Sequence, residues 1–265
     1  MDDTAAKIAT LRASLVRAGL EPTEKRARVP LGCGSVDMSL KGGIQRGALH
    51  EIFAGTGHEA AATGFALALA LRMCGRKHLL WIRQDFSALE YGELAAPGLL
   101  ELGADPSRVL ILRVAHVADA LRAASDALSS AALGAVLIET SGEPKILDLV
   151  TSRRLTLASA QRGVTAFLLR FGADLEASAA ETRWLVRAAR SSVRDENWGN
   201  PVFATDLVRN RHGGTGHWVM EWNCDDNLFC ERAADCGAVV SAPSDRSAAA
   251  AVEGARSRYA LRSHA

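Results

Sequence analysis

The stretch that most constrains this chain runs from Ala48 to Cys74. An apolar run, Ala48 to Phe53, meets a glycine-bearing turn, Ala54-Gly55-Thr56-Gly57-His58, which opens into the alanine- and leucine-rich segment Ala60 to Leu71. Strand, tight loop and buried helix in that order make a phosphate-binding plan, in which loop amides and the helix N-terminus face an anion. The chemistry that goes with the plan is missing. A working phosphate loop reads G-x-x-x-x-G-K-[ST], its lysine neutralising the transferred phosphates and its hydroxyl holding magnesium. Here Gly57, His58, Glu59 and Ala60 to Ala62 lead to Thr63 without a lysine. The Glu59 carboxylate would repel a triphosphate. The reading is a nucleotide-binding architecture whose catalytic groups have been removed.

The rest of the chain surrounds that unit with alternating elements. Residues 4–19 space Ile8, Leu11, Leu15 and Ala18 as one face of a helix, which packs on its own domain or docks on a partner. The charged stretch Glu21 to Pro30, with two prolines, reads as a tether. Leu31 to Gly47 reads as a turn, a short helix and a second glycine turn leading into the first core strand. Strands are expected at His78 to Ile82, Val109 to Val114, Ala135 to Glu139 and Thr165 to Phe171. Helices are expected at Ala118 to Ala131 and about Lys145 to Arg162, the latter turning Ile146, Leu149, Val150, Leu157 and Ala160 inward. Glu139 ends its strand where α/β folds put ligand-facing groups. This alternation predicts an α/β fold with a mostly parallel central sheet and helices on both faces. Arg183 to Val193, Val202 to Arg211 and His217 to Asn223 follow with only glycine turns between them, and read as antiparallel strands at the C-terminal side. The expected organisation is an N-terminal helix and tether over 1–29, a core over 30–223 and a flexible tail over 224–265.

Composition narrows the function classes. With 48% hydrophobic residues in 265, one packed domain with appendages is expected. A net charge of +1 exerts no global pull on nucleic acid or acidic membranes. The longest uncharged apolar stretch is too short to span a bilayer, and no basic segment followed by an apolar block opens the chain, so a cytoplasmic protein is expected. Five dispersed cysteines read as reduced thiols. Cys224, Cys230 and Cys236 repeat every six residues, which misses the pair spacing of structural zinc, so no metal is expected. Trp218 and Trp222 share strand parity and should pack one sheet face. Of the 31 basic residues 26 are arginine, and Arg153, Arg154, Arg209 and Arg211 are candidates for partner or DNA contact, or else a solvated face.

With these elements in order, the chain resembles the RecA-type core. Gly34-Ser35-Val36-Asp37 through Gly42-Gly43-Ile44 to Arg46-Gly47 looks like the stretch before that family's phosphate loop. Leu207-Val208-Arg209-Asn210-Arg211 and Trp218-Val219-Met220-Glu221-Trp222 look like two of its late strands. Ala60 to Ala70, Leu80-Trp81-Ile82, Thr151-Ser152-Arg153-Arg154-Leu155 and Thr182-Arg183-Trp184, with that late pair, are similar to ImuA, a RecA-like family encoded with an error-prone polymerase cassette. The resemblance covers roughly 30–223. It implies a RecA-like fold and an accessory role in DNA-damage-induced mutagenesis and translesion synthesis. The implied partners are an ImuB-like Y-family polymerase homologue, an error-prone replicative-type polymerase with the sliding clamp, and RecA itself.

The departures from the recombinase pattern limit what carries over. Where a recombinase has its water-polarising Glu, this chain has Arg83, Gln84 and Asp85. Glu139 occupies the position of the magnesium-holding acid but lacks the lysine and the oriented nucleophile that phosphoryl transfer also needs. Gly55, Gly57, Thr63 and Glu139 are therefore read as a relic nucleotide pocket, with no catalytic residue, cofactor or metal expected. The two loops that line a recombinase filament are short here, Thr140 to Pro144 and Gly172 to Glu181, without the basic and aromatic mixture of single-strand binders. The rival reading is a divergent RecA-type ATPase in recombination or repair, using Glu139, Thr63 and the loop amides.

Overall fold

The computed structural model describes residues 27–191 and 199–232, together with Thr10 and Ser14, both helical and exposed. Contacts divide the chain into Met1–Ala234 and Asp235–Ala265, and everything described lies in the first unit. The remainder of the expected N-terminal helix, Trp198, Cys236 and the tail from 233 onward fall outside the described residues.

The central unit forms as the sequence predicts. Strand β3 (Leu49–Ala54) leads through the loop into a helix, α2 (Glu59–Cys74). Before it come β1 (Arg28–Val29), α1 (Gly34–Ser39) and β2 (Ile44–Gln45). The last residues of the expected tether are thus a strand, pairing Arg28 with Gln45 and Val29 with Ile44. After it come β4 (His78–Gln84), α3 (Asp85–Tyr91), α4 (Ala96–Glu101) and β5 (Val109–Val114). Then follow α5 (Val117–Ala127), β6 (Leu133–Ser141), α6 (Leu149–Arg162) and β7 (Thr165–Phe171). The chain closes with β8 (Thr182–Ala188), β9 (Val202–Asn210), β10 (Gly216–Asn223) and β11 (Leu228–Arg232).

Nine strands form one sheet in the order β11-β10-β9-β8-β3-β7-β6-β4-β5. The six from β8 to β5 are parallel, and β9 to β11 extend them antiparallel. The expected fold class is observed, with two differences. Strand β8 is parallel to β3, because Gly172 to Glu181 crosses back beneath the sheet without a helix. Strand β11 carries pairing past Asn223, where the core was expected to end, and Phe229 N donates to Leu31 O (2.9 Å).

Helix α2 is buried nearly all round, with Phe65, Leu67, Leu69 and Met73 in one core together with α1 and the tryptophan-bearing strands. Trp222 is buried and Trp218 packs against the same core, as their shared parity predicts. On the opposite face α5 and α6 cover Leu49, Val136, Ile138 and Leu168. The N-terminal phrase acts as a brace. Asp37 accepts from Leu31 N and Gly32 N, and Arg46 donates to Met73 O at the end of α2. Asn210 Nδ2 donates to Ser39 O, and a Cβ at Gly213 would stand 2.0 Å from that same oxygen, so only glycine lets the late turn close there.

Candidate functional site

In the loop after β3, three backbone amides bond within the chain. Gly55 N donates to Val186 O (3.2 Å) and His58 N to Gly55 O (2.9 Å). Gly57 N donates to the Glu59 carboxylate (3.3 Å), so the acid that replaces the usual spacing also takes an amide. Gly57 has φ +76 and open space where a Cβ would be; its glycine is required for conformation, not for close approach. His58 Nδ1 accepts from Ala188 N (3.2 Å), tying the loop to β8.

A cavity of about 640 Å³ opens beside the α2 N-terminus. Gly57, Thr63 and Arg83 line it, and Tyr91, Leu94 and Phe203 make its walls largely apolar. Of the four residues read as a relic pocket, Gly57 and Thr63 thus meet at the cavity. Gly55 lies under the Arg187 side chain, 3.2 Å from where its Cβ would be. Glu139 is placed behind Arg83.

That placement follows from strand register. Ile82 of β4 pairs with Ile138 of β6, so the next residues, Arg83 and Glu139, stand side by side on the α2 face. Arg83 Nε donates to Glu139 Oε2 (2.9 Å) and Nη2 to Oε1 (3.1 Å), a bidentate pair. Trp81 Nε1 adds a third donor to Oε2 (3.1 Å), and Arg83 Nη1 donates to Gly92 O (3.1 Å). Both side chains are buried. A guanidinium charge sits where a metal-holding acid would present its oxygens, and displacing it would leave a buried cation without its carboxylate.

A second charged cluster lies on the other face of the sheet. Glu51 accepts from Arg183 Nε (2.7 Å) and from Ser178 Oγ (2.6 Å). Arg183 and Arg170 both lie over the Phe53 ring, at 5.0 and 5.5 Å from its centroid. Burial disfavours the charged form of Arg170 and lowers its pKa. The two short loops are stapled over this region: Gly142 N donates to Phe171 O (2.8 Å) and Asp174 N to Glu143 Oε1 (3.0 Å).

His50, near the start of β3, is fully buried and built in as a neutral ring. Its Nε2–H donates to Gln45 O (2.9 Å), and Nδ1 accepts from Thr182 Oγ1 (2.7 Å), which in turn accepts from Trp184 Nε1 (2.9 Å). Desolvation lowers its pKa to about 4. The four contact candidates differ in setting. Arg153 and Arg154 are exposed on α6, whereas Arg209 Nη1 is held by Ser178 O (2.8 Å) and Arg211 follows β9, exposed. The four described cysteines are free thiols, with burial raising Cys33 to about 12 and Cys74 to about 11. Sequence reasoning noticed Arg83 but not its pairing, and missed Glu51 and Arg170; the available signal was a lone charge inside an otherwise apolar strand.

The sheet order, the loop entering α2 and the buried acid at the end of β6 define an α/β protein with a mostly parallel central sheet, that acid paired to arginine. No family model matches the chain. Two proteins, each called Protein ImuA, from two strains of Caulobacter vibrioides, are 30% identical to it over 198 residues, 68% of this chain and 77% of the relative. The chain belongs to the ImuA family.

Proposed function

We propose that this chain is a non-catalytic accessory factor of DNA-damage-induced mutagenesis, acting in translesion synthesis through protein contacts. Membership of the ImuA family supports the mutagenesis setting. The observation that carries the non-catalytic reading is the buried Arg83–Glu139 pair. Phosphoryl transfer requires a held magnesium, a cation on the phosphates and an oriented nucleophile together. Here the acid's oxygens are taken by Arg83 and Trp81, the lysine is absent, and the Gly57 amide is taken by the Glu59 carboxylate.

The partners in this reading are an ImuB-like Y-family polymerase homologue directly and, through it, an error-prone replicative-type polymerase and the sliding clamp. RecA is a further partner through the shared outline of a protomer, and DNA contact is weak or indirect. The setting is the cytoplasm, at the nucleoid when recruited; no helix among the described residues is long and apolar enough to cross a membrane. The test is phosphate release by the purified chain with magnesium and ATP, with and without single-stranded DNA, beside co-purification with the polymerase homologue. The expected results are release no faster than buffer alone, and co-elution. Magnesium-dependent turnover that Glu139→Gln abolishes would establish the rival, a divergent RecA-type ATPase, for which the open cavity beside α2 leaves room.

A further inference from the structure

Helix α6 is amphipathic the wrong way round for a helix that only covers its own sheet. Its inner face carries Ser152, Leu155 and Ser159, all buried. The serines tolerate burial because Ser152 Oγ donates to Leu149 O and accepts from Ala179 N, and Ser159 Oγ donates to Leu155 O. The large aliphatic side chains face outward instead, contrary to the inward set expected from spacing. Val150 is 54% exposed and Leu157 47%, with Ile146 and Leu149 also exposed at its entry. Val150, Arg153 and Leu157 follow one another at i, i+3 and i+7 along a single outer line, flanked by Arg154.

The charges on this face are unbalanced. Arg153 and Arg154 have no ion pair among the described residues, and neither do Lys145 before the helix or Arg162 at its end. The neighbouring carboxylates are already engaged: Asp148 caps the helix by accepting from Thr151 N (2.8 Å), and Glu143 accepts from Asp174 N. Exposed aliphatic side chains, Val150 and Leu157, set on either side of Arg153 and beside Arg154, fit a partner surface that offers both apolar contacts and carboxylates.

We infer that the outer face of α6 docks an acidic amphipathic helix of another protein. A second copy does not fit, since two α6 helices packed face to face would set Arg153 and Arg154 against their own counterparts. The chain's own termini do not fit either. Residues 4–19 carry Lys7, Arg12 and Arg17 and no acid, and residues 233–265 carry three acids against four arginines. Nucleic acid would use the arginines but not the exposed Val150 and Leu157 on either side of them. This inference rests on the proposed role in protein contacts and names the surface that performs it.

The test uses the full chain and a labelled helical peptide with leucines at i, i+3 and i+7 bordered by glutamates. Its counterpart has lysines for the glutamates, and a single-stranded oligonucleotide is the third probe. Fluorescence anisotropy should show binding of the acidic peptide, weakened at least tenfold by Val150→Asp with Leu157→Asp. The pair Arg153→Glu with Arg154→Glu should reverse preference to the lysine peptide. Unchanged melting temperatures would establish that the variants fold, as exposed positions should allow. The inference is overturned if the acidic peptide fails to bind, if the substitutions leave binding unchanged, or if only the oligonucleotide binds. Loss of co-purification with the polymerase homologue alongside intact peptide docking would remove the partner named above and leave the surface standing.

Discussion

Two buried carboxylate–guanidinium pairs occupy opposite faces of the same sheet, and they are built differently. On the α2 face, Glu139 accepts three hydrogen bonds and every nitrogen of Arg83 donates one. On the α6 face, Glu51 faces two buried guanidiniums; Arg183 Nη2 and Arg170 Nε and Nη2 meet no acceptor among the described residues. Glu176 reaches Arg170 only at 4.0 Å, and the Phe53 ring supplies the remaining attraction. The difference separates a closed lock from a strained cluster. The Arg83–Glu139 pair satisfies itself, each polar atom of the two side chains meeting a partner. The other sets two buried guanidiniums against one buried carboxylate, with Glu176 only at the edge of reach, so Glu51 should be the more critical group.

The largest effect should come from Glu51→Ala, which strands Arg183 and leaves Arg170 only the distant Glu176. A loss near the top of the range for broken buried pairs, about 5 kcal/mol, is expected in urea unfolding. Glu139→Ala should cost less, about 3 kcal/mol, since Arg83 keeps Gly92 O. The reverse order would break the comparison.

A titration sharpens the α2 face further. The native state holds His50 near pKa 4, while the unfolded chain protonates near 6.5, so between those values the unfolded chain binds the extra proton. The contribution is complete above pH 6.5 and is lost as pH falls toward 4, by about 3 kcal/mol in all. His50→Gln should flatten that part of the stability profile relative to the unsubstituted chain.

Arg170→Met should change stability by no more than about 1 kcal/mol, because it removes an excess buried cation whose donors are largely unmet and keeps the packing volume. A large loss would show that the cluster needs both cations. Smallest of all, Val150→Asp on the outer line of α6 should stay within about 0.5 kcal/mol, as its side chain meets solvent.

The sequence drew attention to this site through absences: no lysine before Thr63, and Arg83 where the recombinase resemblance leads one to expect an acid. What replaced the missing groups was not legible. Arg83 and Glu139 are 56 residues apart and meet only because β4 and β6 are neighbours in register. Helix α6 shows the opposite failure. Val150 and Leu157 are seven residues apart, but so are Ser152 and Ser159, and periodicity alone cannot tell which face turns inward when buried hydroxyls can bond to the helix's own carbonyls.

The order of elements, the parallel sheet, the buried α2 and the glycine loop are properties of local pattern, since strand and helix periods and turn residues act over a few positions. Which charges pair, which loop amides remain free and which face of α6 meets water depend on residues brought together across the sheet. Desolvation makes these pairings decisive: a charge or hydroxyl that is harmless in an extended chain must find its partner once water is excluded, and only the packed structure determines which partner it finds.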